Sequence, residues 1–379
     1  MTATGGIDLT GLTAAPAQTW GAIQLVPLLR PDPITDLRLH ARLYDTEDES
    51  VVAIGAQKAY VSLIPHAFVA TWTTDATPVA AYGTQLREPA GADPEGMRLP
   101  FRRRMARRED RQRLRFLPLH LALEGYLTLQ FGGPPIAWQE WTRHAVTRGL
   151  SPRVEASYAG AAVAGLDDAL RLFEIHPSQC GVLLYVAGAL AAAFVVPHPD
   201  DYRSLHPTLL KDLYGEQIFQ YAAALPPDRG DHSVRLDDTR VTTLSGLRAQ
   251  ISQARADWAH EHAFRAAGLL AEEHLTFTPV QRMGRFALTR FLPPFDPTVE
   301  NHIGEAITDD TGRLAYLKTF RLSAAQTRRG HLLSQLGKHD WNLGATAATL
   351  KTDRDGLIQR LNRAGFGHLV RPEHQRPEP

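Results

Sequence analysis

The sequence predicts an α+β protein: a strand-rich mixed N-terminal domain, a middle region of helix and strand, and a C-terminal all-α helix-turn-helix. Three observations carry that expectation. From Ile23 to Tyr82, short apolar runs such as AIQLVPLL, VVAIGA, YVSLIP and FVATW alternate with turn-like polar residues, as strands do. From Leu244 to His274, Leu247, Ile251, Ala254, Trp258 and His262 recur at threes and fours, the period of a helix face. From Trp341 to Leu369, two short helical segments flank a three-residue turn.

In chain order, residues 1–20 read as a flexible tail and 21–225 as an α+β unit that is a possible ligand sensor. Inside it, Leu86 to Pro100 is polar and rich in Gly and Pro, a long loop. Phe101 to Arg115 then carries eight arginines against Glu109 and Asp110. Such a run is usually a solvated face; Arg102, Arg103, Arg104, Arg107 and Arg108 are also a possible second basic surface for phosphate. Phe116 to Trp138 reads as a buried element, the strand Tyr126 to Phe131 and a bend at Gly132 to Pro135, and Asp167 to Phe173 as a helix.

Cys180 to Pro197 has no charge over 18 residues, near the lower limit for a membrane-spanning helix. Its Ala and Gly content, and the strand-like Val182 to Val186, point instead to a core strand followed by a second buried element. Tyr202 to Ala224 is expected to be helical, starting afresh near Pro207. Residues 226–243 have the composition of an interdomain linker, and 244–322 form the middle region. Its strands are Phe286 to Phe291 and Leu314 to Phe320, the second entered through the turn Asp309-Asp310-Thr311-Gly312. Residues 323–371 form the helical C-terminal unit, and 372–379 a tail.

Composition sets limits on function. The chain has 41 basic and 41 acidic residues, so no overall field attracts nucleic acid. Between Ser323 and Arg371, however, eight Lys or Arg face three Asp, the local excess that phosphate contacts need. A single cysteine, Cys180, excludes an internal disulfide framework and a Cys-rich zinc site. The N-terminus lacks a basic start followed by an apolar run, so a cytoplasmic protein is expected. The chain contains no GxSxG elbow, phosphate loop, GxGxxG fingerprint or HExxH motif, and no cofactor is expected.

In the C-terminal unit, Ala345, Ala347, Ala348 and Leu350 are read as the inner face of a first helix. Lys351, Thr352 and Asp353 make the turn, and Arg354 to Ala364 the second helix. Leu357 and Leu361 lie four apart on its inner face, Asp353 is placed to cap it, and Gly365 to end it. That leaves Arg354, Gln359, Arg360 and Arg363 outward.

Asn342, Ala347, Ala348, Leu350, Arg354, Leu357, Arg360, Leu361, Gly365 and Phe366 resemble the helix-turn-helix of the Fis family. Lys351 and Thr352 stand where that family usually has Gly and a branched apolar residue. The resemblance implies double-stranded DNA as partner, with Arg354 and Gln359 approaching bases and Arg360 and Arg363 nearer phosphates. It also implies a homodimer, because one short helix reads few base pairs.

The runs RFLPLHLALEGYLTLQFGGPPIAW, GLSPRVEASYAG and ALRLFEIHPSQCGVLLYVAGALAAAFVVPHPDDYRSLH, with KDLYGE, resemble the bacterial ADP-ribosylglycohydrolase-and-rhodanese-phosphatase-associated domain. That likeness covers roughly residues 21–225 and implies a stress-response setting, with no catalytic residue to carry over.

Other candidate chemistry is sparse. VVPHPDDYRSLH places His198, Asp200, Asp201 and His206 just after a buried run, where α/β folds often set ligand pockets. A metal, a nonmetal ligand, and helix capping by Asp200 and Asp201 with structural hydrogen bonds all fit, and capping is the simplest. His120 with Glu124 reads as a buried pair, Arg153 with Glu155 as an ion pair, and Cys180 as a buried thiol without a basic neighbour. The expectation is a DNA-binding bacterial transcriptional regulator with a small-molecule or protein effector. The alternatives are an enzyme on nucleotide-linked or ADP-ribosylated substrates tethered to DNA, or a DNA-bound scaffold.

Overall fold

Ten strands form one antiparallel sheet in the computed structural model. The structure describes residues 3–20, 22–37, 50–53, 59–62, 69–72, 78–81, 97–98, 115–116, 176–210, 214, 237, 239, 241–265, 269, 275–292 and 301–370. In chain order the strands are β1 (Ala3–Gly5), β2 (Thr13–Ala14), β3 (Gln18–Trp20), β4 (Ile23–Leu29), β5 (Gln179–Val186) and β6 (Ala189–Val195). Then follow β7 (Leu275–Met283), β8 (Phe286–Leu292), β9 (Asn301–Thr308) and β10 (Leu314–Leu322). Their spatial order is β1-β7-β8-β9-β10-β6-β5-β4-β2, with β3 also on β4. Among the described residues there are five α-helices, α1 (Pro199–Thr208), α2 (Leu244–Arg265), α3 (Ala324–Lys338), α4 (Leu343–Thr349) and α5 (Arg354–Arg363), with a four-stranded sheet, a two-stranded sheet and a 3-10 turn at Gly367–Val370 besides.

The uncharged run from Cys180 to Pro197 is the β5–β6 hairpin. Ala187 and Gly188, both at positive φ (48° and 83°), make its two-residue turn, whose twist suits paired strands. Val182, Leu183, Leu184, Ala192, Ala193 and Phe194 are all buried, so both faces of the hairpin are covered and the strands read as continuous apolar runs. Among the described residues, no helix is long and apolar enough to cross a membrane. Gly284 (φ 58°) with Arg285 makes the equivalent turn between β7 and β8. Gly304 is required for a different reason: a Cβ there would lie 2.1 Å from the Lys318 carbonyl oxygen.

Three expectations are corrected here. Residues 3–20 are not a free tail: β1 pairs with β7, β2 and β3 pair with β4, and Ile7 is buried in the core with its N–H on the Leu269 carbonyl. Ile7, with Leu9 and Leu12 packed against the same core, anchors this stretch. Nor do residues 21–225 and 244–322 form separate units, because β6 pairs with β10 and one core cluster joins Val26 and Leu183 to Ala306 and Leu317. Asp237, within the supposed linker, holds α2 by hydrogen bonds in both directions with Gln250.

Most consequentially, the chain does not end in an independent all-α domain. The described molecule is a large antiparallel sheet with few helices, and α3 continues directly from β10. Ser323 joins the two: its hydroxyl accepts from the Gln326 N–H while the Gln326 side chain accepts from the Ser323 N–H, a reciprocal cap. Asn301 on β9 donates to the buried Thr327 hydroxyl on α3, tying the helix to the sheet. Pro207 lies within the last turn of α1, so that helix runs through the point where a fresh start was expected.

Candidate functional site

Two places in the fold gather the residues singled out by sequence. The first is α5 and the turn before it. Asn342 caps α4, accepting from the Ala345 N–H, and Asp353 caps α5, accepting from the Gly356 N–H at 2.7 Å. Gly356 has no room for a Cβ, which would meet the Thr352 hydroxyl at 2.4 Å and the Asp353 carboxylate at 2.7 Å. Between the helices Lys351 takes φ 52°, a left-handed conformation that costs a side chain about 1 kcal/mol. Gly365 (φ 82°) ends α5, and the Arg329 guanidinium of α3 lies 4.8 Å from the Phe366 ring centroid just beyond it.

Leu357 and Leu361 are fully buried, while Lys351, Asp353, Arg354, Gln359, Arg360 and Arg363 are exposed and Thr352 is half-buried. The inner face of α4 differs from expectation. Leu343, Thr346 and Ala347 are buried; Ala345 and Ala348 face outward and Leu350 is half-buried. Thr346 meets its polar need locally, donating to the Asn342 carbonyl, so it packs where alanine was expected.

The second place is the end of the sheet where β5 begins and β6 finishes. Here His198, not Asp200 or Asp201, is the cap of α1: its ring Nδ1 accepts from the Asp200 N–H at 3.2 Å. Asp200 is exposed and pairs with Arg203 at 3.3 Å, and Asp201 is buried beside it. His206 is buried one turn deeper, its Nδ1 2.9 Å from the Tyr202 hydroxyl, and burial drives its pKa down to about 4. His198 with Asp200, and His206 with Tyr202, therefore form two separate local arrangements. Among the described residues no group of three or more His, Cys, Asp or Glu is placed to hold a metal.

Sequence reasoning missed the basic partner at this end. Arg30, just after β4, is fully buried, donates to the Leu314 carbonyl at 2.7 Å, and lies by the Cys180 thiol. Burial raises that thiol to about 11, with Arg30 pulling the other way, so it stays protonated near neutrality. Arg285 binds Asp36 through two nitrogens (2.6 and 2.8 Å) and Asp309 at 3.2 Å. Burial alone would raise Asp309, but hydrogen bonds from Thr311 and Arg313, with Arg285, outweigh it and hold the carboxyl low. These contacts lock the segment after β4 across the sheet end. Arg102, Arg103, Arg104, Arg107 and Arg108, like His120, Glu124, Arg153 and Glu155, lie outside the described residues.

A third feature gave no signal in the sequence. Glu305 on β9 and Lys318 on β10 are directly paired and have no exposed surface. Burial lowers the Lys318 pKa, and Glu305 opposes that fall.

Comparison with known proteins yields one family. The model of the family described as ARPP-2 matches residues 7–284. That finding corrects the family assignments read from the sequence, in their extent and at the C-terminus. The match runs well past residue 225, across the supposed linker, and no Fis-family or helix-turn-helix match accompanies it at the C-terminus. No curated protein and no solved structure matches the chain.

Proposed function

The chain belongs to the ARPP-2 family, and for this member we propose that the outward face of α5 binds double-stranded DNA, making the protein a cytoplasmic DNA-binding regulator. One observation carries the reading. Leu357 and Leu361 bury the inner face of the helix, while Gln359 and Arg363 stand in solvent on the outer one, with Arg360 on its flank and Arg354 exposed at the helix start. The surrounding segment, Ser323 to Arg371, has eight basic side chains against three acidic ones in a chain that is balanced as a whole.

Arginine suits this role because its planar fork donates two hydrogen bonds to a phosphate or a guanine edge and never loses its charge. Part of the arrangement serves the helix itself: Asp355 sits in the first turn and Arg360 and Arg363 in the last, each favourable to the helix dipole. Arg354, in the first turn, makes no such contribution. A helix of this length spans few base pairs, so two copies of the chain would act together on one site.

The test is a mobility shift of mixed-sequence duplex by the full chain and by R354A/R360A/R363A. All three positions are exposed, so the variant should stay folded and melt only slightly below the parent, by the lost helix-dipole contribution. Retention by the parent and its loss in the variant is the expected result. Equal retention by both proteins, or none by either, would refute the proposal.

A further inference from the structure

The geometry points to a second contact for the same partner: the solvent-facing stripe of α3 grips the sugar-phosphate backbone of the duplex that α5 engages. This rests on the reading of α5 given above. Arg328, His331, Gln335 and Lys338 are spaced three, four and three residues apart, so they line one side of α3. Arg328, His331 and Lys338 are exposed and Gln335 is half-buried. The stripe is bounded on both sides by buried residues. Thr327, which accepts a hydrogen bond from Asn301, faces the sheet; Leu332 and Leu336 lie on the opposite flank.

α3 carries no Asp or Glu from Ala324 to Lys338. A solvated face normally mixes both signs, and this chain as a whole has equal numbers of each. A one-signed stripe is therefore complementary to a polyanion. It is also mechanically coupled to the α5 surface. Arg329 stacks on Phe366 past the end of α5, and the His339 ring after α3 is 2.9 Å from the Thr349 hydroxyl of α4. α3 is thus joined to the segment after α5 through Arg329 in its second turn, to α4 through His339 at its C-terminal end, and to the sheet through Thr327. The class of contact is phosphate, not base: a guanidinium, an imidazole and an ammonium spaced along one side of a helix follow a row of phosphates rather than converging on one base edge.

Counterion release supplies a readout that a merely structural role would not move. Each phosphate neutralised adds about 0.9 to the slope of log affinity against log salt. The full chain, R328A/K338A and R328K/K338R are titrated with one mixed-sequence duplex from 50 to 200 mM salt. The alanine pair is expected to lose about 1.8 from the slope, so its affinity falls roughly tenfold less over that range, equally for unrelated sequences. The charge-preserving pair should keep the parental slope. A parent that binds, with an alanine pair of unchanged slope and affinity, overturns this inference and leaves α5 as the interface. A parent that binds no duplex overturns both.

Discussion

Glu305 and Lys318 face each other across β9 and β10 in the middle of the sheet, both without exposed surface. Arg290 on β8 is the residue paired with Glu305 on its other side, so three charged positions run in register across three strands. The Lys318 ammonium also lies 5.8 Å from the Phe320 ring centroid. Such a pair is expensive to desolvate, and removing one partner leaves a buried charge. Glu305→Ala is expected to cost about 3–5 kcal/mol in urea unfolding, and E305L/K318M to recover most of that loss. A cost below about 1 kcal/mol for the single change would show that the two charges are not coupled.

His206 gives the fold an acid sensitivity with a definite sign. The buried ring stays neutral in the native state to about pH 4, whereas an unfolded histidine takes its proton near pH 6.5. Between those values the unfolded chain binds the extra proton, so stability falls as the pH is lowered and is unaffected above about 6.5. At pH 5 the deficit from this one group is roughly 2 kcal/mol. His206→Asn keeps an acceptor for the Tyr202 hydroxyl and cannot titrate. Unfolding at pH 7 and pH 5 should show that part of the acid loss disappear in the variant; an identical loss in both would contradict the assignment.

The turn before α5 separates conformational strain from charge. Lys351→Gly removes the strain of φ 52° and is expected to raise stability slightly, by up to about 1 kcal/mol, while weakening duplex binding through the lost charge. Gly356→Ala should instead lower stability, by up to about 1 kcal/mol, as the displaced Asp353 cap outweighs the helix propensity gained, without changing the charge that meets the duplex. Thermal melts beside duplex titrations check both. A Lys351→Gly protein that melts lower than the parent would show that the turn is held by something other than its backbone angles.

The parts of this fold that were legible in the sequence are those governed by local chemistry. Asp353, Gly365, Leu357 and Leu361 announce the cap, the end and the inner face of α5 by residue type and spacing alone. Val182 to Val186, Phe286 to Phe291 and Leu314 to Phe320 lie within strands because apolar runs bounded by turns have few alternatives. What was hidden is pairing between distant segments. Nothing local in residues 3–5 reveals that they meet Leu275 to Phe277, or that β6 lies beside β10 across more than a hundred residues of chain. A polar, Gly-containing stretch therefore reads as a tail or a linker even when its backbone groups are paired in the sheet.

The candidate sites divide in the same way. Capping by His198 was obscured because an imidazole rarely plays that part and Asp200 and Asp201 beside it do. Lys318 and Glu305 read as ordinary alternating polar residues of half-exposed strands, since burial of the second face depends on elements remote in sequence. Arg30 carried no motif at all; only the register of β4 against β5 brings it near Cys180.

The central claim is that the exposed side of α5 touches a double helix. Photo-crosslinking tests it most directly, with a photoreactive phenylalanine derivative installed in the full chain at Gln359 on α5, or at Arg248 on α2 as an exposed control. With labelled mixed-sequence duplex at low salt, the account predicts a covalent adduct from position 359, suppressed by added salt, and none above background from 248. Adducts equal at the two positions, or absent at 359, would contradict it.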